Sequence, residues 1–246
     1  DPGWHGMSHV PVSPPLMTGL AAGPSNPFTI ACDQAERGTD AGLIAWSVSP
    51  ERLRAAIVLA PETPLEPAMA GFIACGVGLQ NALGALVPPE TAVHLDWSGG
   101  IRLNGAHAGA LRVAAATGDP GEEPDWLVVG MELTLSLPPD CEPGAFPDRT
   151  ALDQEGCGGL DPVHILEAWS RHTLLWLNTI EDTEGRTDLH REWAGLAWKL
   201  GETVSVATGG TRAEGTFLGV DENFGMLLKT DSTTRLLPLS SLLEEV

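Results

Sequence analysis

From Trp126 to Leu137 apolar and polar residues alternate sharply. Leu127, Val129, Met131, Leu133 and Leu135 would face one way, and Val128, Gly130, Glu132, Thr134 and Ser136 the other. Side chains of a strand alternate between faces, so the spacing predicts one long, half-buried strand. Such a strand cannot stand alone. Its backbone N–H and C=O groups need paired neighbours, and its apolar face needs a covering layer.

The rest of the chain supplies both. Residues 42–46 and 56–60 read as buried strands. Residues 92–97, 101–103 and 107–114 read as shorter strands, with Asn104-Gly105 as a hairpin turn between the last two. Residues 26–36 read as a short helix. Thr63-Pro64-Leu65-Glu66 reads as a helix start, with Thr63 as cap and Glu66 closing a capping box, and Pro88-Pro89 ends that helix. Asp161-Pro162 opens a second long helix, whose apolar stripe includes Ile165, Trp169 and Trp176. Thr150 opens a short helix, closed by Gly156, and residues 189–199 read as a last one. From Leu200 the texture changes to four short strands separated by turns at Gly209-Gly210, 221–225 and Asp231-Ser232, which suggests a small closed barrel. The expected fold is α+β: an irregular segment 1–27, a sheet-and-helix domain 28–199, and a small C-terminal β-barrel 200–246.

Charge narrows the function classes. The chain carries 13 basic and 33 acidic residues, a formal net charge of −20. Phosphate backbones and anionic membrane surfaces need clustered Lys and Arg, so neither nucleic acid nor membrane is an expected partner. No run of about 18 apolar residues is present. Residues 1–16 show no basic flank before an apolar run, so no secretion signal is expected. Cys32, Cys75, Cys141 and Cys157 have neither C-x-x-C nor zinc spacing, so they read as reduced thiols of a cytoplasmic protein with no metal site.

Three stretches together resemble the biotin/lipoate protein ligase family. Val93-His94-Leu95-Asp96-Trp97-Ser98-Gly99-Gly100, the Asn104-Gly105 turn and His107-Ala108-Gly109-Ala110-Leu111 look like its Lys-Trp-Pro-Asn-Asp strand, hairpin and Lys-x-Gly-Gly-Ile-Leu strand. Trp126-Leu127-Val128-Val129-Gly130-Met131-Glu132-Leu133 is similar to its Val-Val-Gly-Ile-Gly-Ile-Asn strand. The Thr150 helix, the Asp161 helix and the 200–246 region follow in the family's order, and the last would be its SH3-like domain. The resemblance implies an enzyme that activates biotin or lipoate with ATP and passes it to a lysine of a carrier domain. A homodimer is within its range. The candidate ligand contacts are Trp97, Gly109 and Gly130, with Arg102 or Arg112 able to lend a cation where strand alternation points it inward.

The residues depart from that pattern where the chemistry is most demanding. Adenylation moves negative charge onto phosphoryl oxygens and needs cations placed there. The family's Gly- and Arg-rich loop is missing: Ser47-Val48-Ser49-Pro50-Glu51-Arg52-Leu53-Arg54 holds no glycine and is too short. A helix starting after Ser49-Pro50 would account for Arg52 and Arg54. His107 occupies the place of the family's lysine, and a neutral imidazole is a poor substitute for a fixed ammonium. Asp96 replaces a cation, and Gly99-Gly100 replace an amide and a carboxylate.

His107 reads either as a catalytic or ligand-contacting residue or as a hairpin histidine facing solvent, and Trp97 either as a pocket wall or as core. Gly109 and Gly130 read as close approaches to a ligand or as strand irregularities. Glu132 reads either as a general base or as a solvated residue, and Glu122-Glu123 and Glu244-Glu245 read as solvated charges. Three functions remain open. The first is a catalytically silent relative that binds a small acid or a biotinyl or lipoyl carrier domain. The second is a rewired ligase or acyltransferase, with Arg52, Arg102 or Arg112 aimed into one cleft. The third is a structural or regulatory protein whose vestigial pocket is filled with side chains. The first fits best, because the losses concern adenylation while the scaffold motifs persist.

Overall fold

A computed structural model describes residues 10–142 and 144–246. The start of the irregular N-terminal segment, residues 1–9, lies outside the described residues. The main sheet has seven strands: β1 (Thr18–Ala21), β2 (Leu43–Val48), β3 (Arg52–Leu59), β4 (Val93–Leu95), β5 (Gly100–Leu103), β6 (Ala106–Ala115) and β7 (Leu127–Thr134). Their order is β1-β2-β3-β7-β6-β5-β4. Only β1 runs parallel to its neighbour. Residues 18–21, expected to be irregular, thus extend the sheet as an edge strand.

The alternating segment is β7, at the centre of the sheet, but it is buried on both faces rather than one. Leu127, Val129, Met131 and Leu133 face the larger core, under α3 (Ala70–Leu86) and α4 (Pro162–Thr179). Val128 faces a second, smaller core under α1 (Pro27–Glu36), with Phe28, Ala31 and Cys32. The sequence pattern could not show that a helix from the other end of the domain would cover the polar-looking face. The strand stops at Thr134, and Leu135 N–H turns to donate to Glu51 O at 2.8 Å.

Helix starts follow from local chemistry, with two corrections. Asn26 caps α1, its Oδ1 accepting from Phe28 N at 3.0 Å, and Asp161 caps α4 through Val163 N at 2.9 Å. Thr63 caps nothing. The helix begins as a short turn, α2 (Leu65–Ala68), whose first N–H groups donate to a loop: Leu65 N to Glu122 O and Glu66 N to Pro120 O. Backbone carbonyls of that loop satisfy the orphan donors a capping side chain would otherwise take. The last helix, α5 (Thr183–Leu196), starts six residues earlier than expected (183 against 189), because Asp182 accepts from Gly185 N at 2.7 Å. The short helix after Thr150 is a single 3₁₀ turn, Leu152–Glu155, ended by left-handed Gly156. The α2–α3 stretch Leu65–Leu86 is long and apolar enough to cross a membrane, but most of it is buried inside the fold.

The C-terminal strands β8 (Thr203–Thr208), β9 (Thr211–Val220), β10 (Met226–Lys229) and β11 (Thr234–Leu237) form an antiparallel sheet in the order β11-β10-β9-β8. This small all-β unit is consistent with an SH3-like domain, and β8 and β11 are its edges. Its apolar side packs onto the body. Trp193 of α5 lies edge-on to Phe224, at 6.3 Å, and tilted to Phe217, at 6.2 Å. The Trp97 indole donates to Phe224 O at 2.7 Å. One hydrophobic core therefore runs through both sheets.

Candidate functional site

The β5–β6 hairpin builds the site. Asn104 and Gly105 both have positive φ (49° and 86°), as a tight two-residue turn requires, and this turn sets Arg102 directly opposite His107. Facing one another across the ladder, the two side chains meet over Asp96. Arg102 Nε donates to Asp96 Oδ1 at 2.8 Å, and its Nη1 donates to Gly105 O at 2.8 Å. Arg102 Nη2 lies 3.0 Å from His107 Nε2. A guanidinium only donates, so Nε2 accepts and the ring proton sits on Nδ1, which lies 3.5 Å from Asp96 Oδ2. The guanidinium also lies over the Trp198 ring, 5.0 Å from its centre.

Gly100 makes this arrangement possible. A Cβ there would come within 2.1 Å of Asp96 Oδ2. This glycine thus leaves room for the Asp96 carboxylate to fold back onto Arg102.

The cluster forms one wall of a cleft of about 450 Å³ between the hairpin and the C-terminal sheet. Trp198 and Lys199 lie in the linker, and Thr203, Ser205 and Glu214 of β8 and β9 face the cluster from the other wall. Among the described residues Lys199 has no ion-pair partner. Trp97 lies at the floor with 2% exposure, so it is both core and pocket wall. His107 faces the cleft with 41% of its side chain exposed.

The other expected contacts lie elsewhere. A Cβ at Gly109 would sit 2.2 Å from Glu132 O, so that glycine serves the close approach of β6 to β7. Gly130 faces α1, and Phe28 fills the space above it: a Cβ there would come within 2.7 Å of the Phe28 ring. Arg112 lies beside it, its guanidinium 4.1 Å from the Phe28 ring centre. Glu244 is not a free tail charge. Both its oxygens accept from Arg112, at 2.7 and 3.0 Å, and its own N–H donates to Val113 O. Fork-on-carboxylate pairing of this kind ties the C-terminus to β6.

Arg52 and Arg54 do not start a helix. They belong to β3, which pairs with β2 as far as Val48 opposite Leu53. The turn between them is closed by Ser49, whose N–H donates to Arg52 O at 2.9 Å and whose Oγ accepts from Arg52 N at 3.1 Å. Arg52 pairs with Glu132 at 3.1 Å, so Glu132 is not a free base. The three candidate arginines are engaged by three different carboxylates and share no cleft.

None of the cysteines is placed as a nucleophile in the cleft. Cys32 and Cys75 are buried, and burial pushes the Cys32 thiol up to about 12 and raises that of Cys75 further. Burial raises Cys157 as well. Trp198, Lys199 and the β8–β9 wall were absent from the sequence-based candidates. A Trp-Lys pair at the change of texture near residue 200 was the available signal, and it carries no motif.

Comparison with known proteins agrees with this architecture. The model of the biotin/lipoate A/B protein ligase family matches residues 13–195, and a domain of unknown function (DUF4444) matches residues 200–245. A biotin–[acetyl-CoA-carboxylase] ligase of Paracoccus denitrificans is 25% identical over 197 residues, 78% of this chain and 80% of that protein. Among solved structures, a biotin protein ligase-like protein of unknown function from Silicibacter sp. TM1040 is 52% identical. It matches 96% of this chain and 100% of that one with a TM-score of 0.89. The biotin protein ligase of Aquifex aeolicus shares the fold at 15% identity, covering 90% of this chain and 92% of its own, with a TM-score of 0.66. With the family's model spanning sheet, hairpin and long helices alike, the chain belongs to the biotin/lipoate A/B protein ligase family.

Proposed function

We propose that this protein binds a small carboxylic acid, or a carrier domain bearing one, and has lost the adenylation step of its family. The β2–β3 connection carries the proposal. The strands pair up to Val48 and Leu53, and the turn between them is pinned by Ser49. No length of chain remains there to cover a nucleotide. Cation placement supports the same reading, since Arg52, Arg102 and Arg112 are each neutralised within the protein. Placing an anion on any of them would require breaking an ion pair first.

The hairpin cleft is the binding site in this proposal. Lys199 would take the ligand's carboxylate, while Arg102, held by Asp96 and His107 over the Trp198 ring, would form a fixed wall beside it. Glu214 on the opposite wall would disfavour a polyanion such as ATP. The vestigial-pocket reading draws on Phe28, which fills the space over Gly130, but the hairpin cleft is open. The setting proposed is the cytoplasm, and the carrier would be of the kind named for the Paracoccus relative, a biotin-dependent carboxylase.

The test is a calorimetric and thermal-shift titration with biotin, lipoate and octanoate, each with and without ATP, alongside a pyrophosphate assay. The expected result is stabilisation by one acid, no effect of ATP, no pyrophosphate, and weaker binding in Lys199→Gln. Pyrophosphate release coupled to acid binding would make the protein a working ligase and overturn the proposal.

A further inference from the structure

The largest cavity among those described lies on the far side of the main sheet from α1, under the β1–β3 wing. Its volume is about 770 Å³, within the roughly 300–1,000 Å³ of small-molecule sites. The cavity is walled by Ile57 and Leu59 of β3, Leu127 of β7, and Leu174 and Leu177 of α4. Among the described residues one cation lines this largely aliphatic space: Arg186, in the first turn of α5.

Arg186 is half-buried and poorly compensated. Its Nη2 donates to Pro67 O at 3.2 Å, and among the described residues no carboxylate stands within ion-pair distance. Burial alone lowers its pKa, with no charged neighbour contributing. A guanidinium withdrawn from water without a counter-charge costs free energy, and an anion brought to it recovers part of that cost. Glu62 and Glu181 also line the cavity, but both are exposed, so water screens them more strongly than it screens Arg186.

We infer that this cavity is a second ligand site that takes an aliphatic carboxylate, its chain among the β3, β7 and α4 side chains and its head group on Arg186. The inference is independent of the hairpin cleft, which lies elsewhere and shares none of these residues. An apolar tail accounts for the lining, and the anionic head accounts for the one inward cation. The bland alternative is that Arg186 merely ties α5 to α2 through the Pro67 carbonyl. In that case a head-group preference would not exist.

The experiment is calorimetric titration of the full chain carrying Lys199→Gln, which weakens any carboxylate binding in the hairpin cleft, with decanoate, decanol and decylamine as probes. Decanoate is expected to bind at least tenfold more tightly than decanol, and Arg186→Gln to remove that difference. Loss of one charge-assisted hydrogen bond corresponds to roughly a ten- to hundredfold weakening. Leu174→Trp, which fills the cavity and leaves Arg186 in place, is expected to abolish binding of both decanoate and decanol, and it keeps the test open if Arg186→Gln does not fold. Equal binding of decanoate and decanol, preference for decylamine, or no decanoate binding would each overturn the inference. So would decanoate affinity unchanged in a folded Arg186→Gln or Leu174→Trp variant. Failure of the hairpin-cleft proposal would appear instead as Lys199→Gln having no effect on biotin, lipoate or octanoate.

Discussion

His172 on α4 is partly buried beside Arg171, and desolvation first, then the neighbouring cation, lowers its pKa below 6.5. The unfolded chain therefore binds this proton more readily than the folded one. Stability contributed by neutral His172 is complete above about pH 6.5 and is lost as pH falls through that value towards the lower folded pKa. The urea midpoint should rise between pH 5.5 and 7, and part of the rise should vanish in His172→Gln; identical pH profiles for the two proteins would contradict this. At the same scale, residue type alone says little about engagement. Arg112 and Glu244 are 132 residues apart, and nothing local marks them as partners. Asp96 was legible as a charge that repels phosphate, but not as the holder of Arg102, because the pair meets only where the β4–β5 turn folds back, closed by Asp96 N–H on Gly100 O.

Among the elements, the α3–α4 crossing is a close contact with a definite sequence cause. A Cβ at Gly78 would sit 2.5 Å from Thr173 Oγ1 and 3.0 Å from the Thr173 backbone N. Gly78→Ala should therefore force the helices apart and destabilise the protein by about 1–3 kcal/mol, as overpacking does. Chemical denaturation measures it, and a neutral result would mean that the crossing relaxes freely. Trp169 fixes the same crossing from the other side by donating to Cys75 O at 3.0 Å. Both helices were legible from their periodicity and from the Asp161-Pro162 start. Their close approach was not, because Gly78 in a run of small residues looks like any other helical glycine. The β2–β3 turn shows the converse: the missing glycines were plain in the sequence, but pairing up to the turn, rather than a helix, took up the arginines.

For the whole molecule, the two sheets share one core, and Trp97, Trp193, Phe217 and Phe224 form the seam. The matched family models meet at this seam, ending at residue 195 and resuming at 200. Deleting residues 200–246 would expose the apolar side of α5 and remove the acceptor of the Trp97 indole N–H. Water would then take the indole N–H, so the cost is chiefly the lost apolar burial of the seam. The truncated chain should bind a hydrophobic dye and lose cooperative unfolding. A chain of residues 1–199 that unfolds cooperatively with native-like stability would show the body to be self-sufficient. Glu244 adds to the coupling, since the tail returns to β6 beyond the small sheet.

Patterns confined to neighbouring residues determined much of this protein without any structure. Periodicity of two and of 3.6 located the strands and long helices, Asn104-Gly105 located the hairpin, and the order of motifs carried the family. The missing loop and the absent lysine were equally plain, because an absent residue type needs no coordinates to be seen. Tertiary structure alone decided which charges cancel, where Phe28 lies, and that the open cleft faces the C-terminal sheet. Those outcomes depend on pairs far apart in sequence, whose interaction energies fall off over a few ångströms and so exist only once the chain has closed on itself.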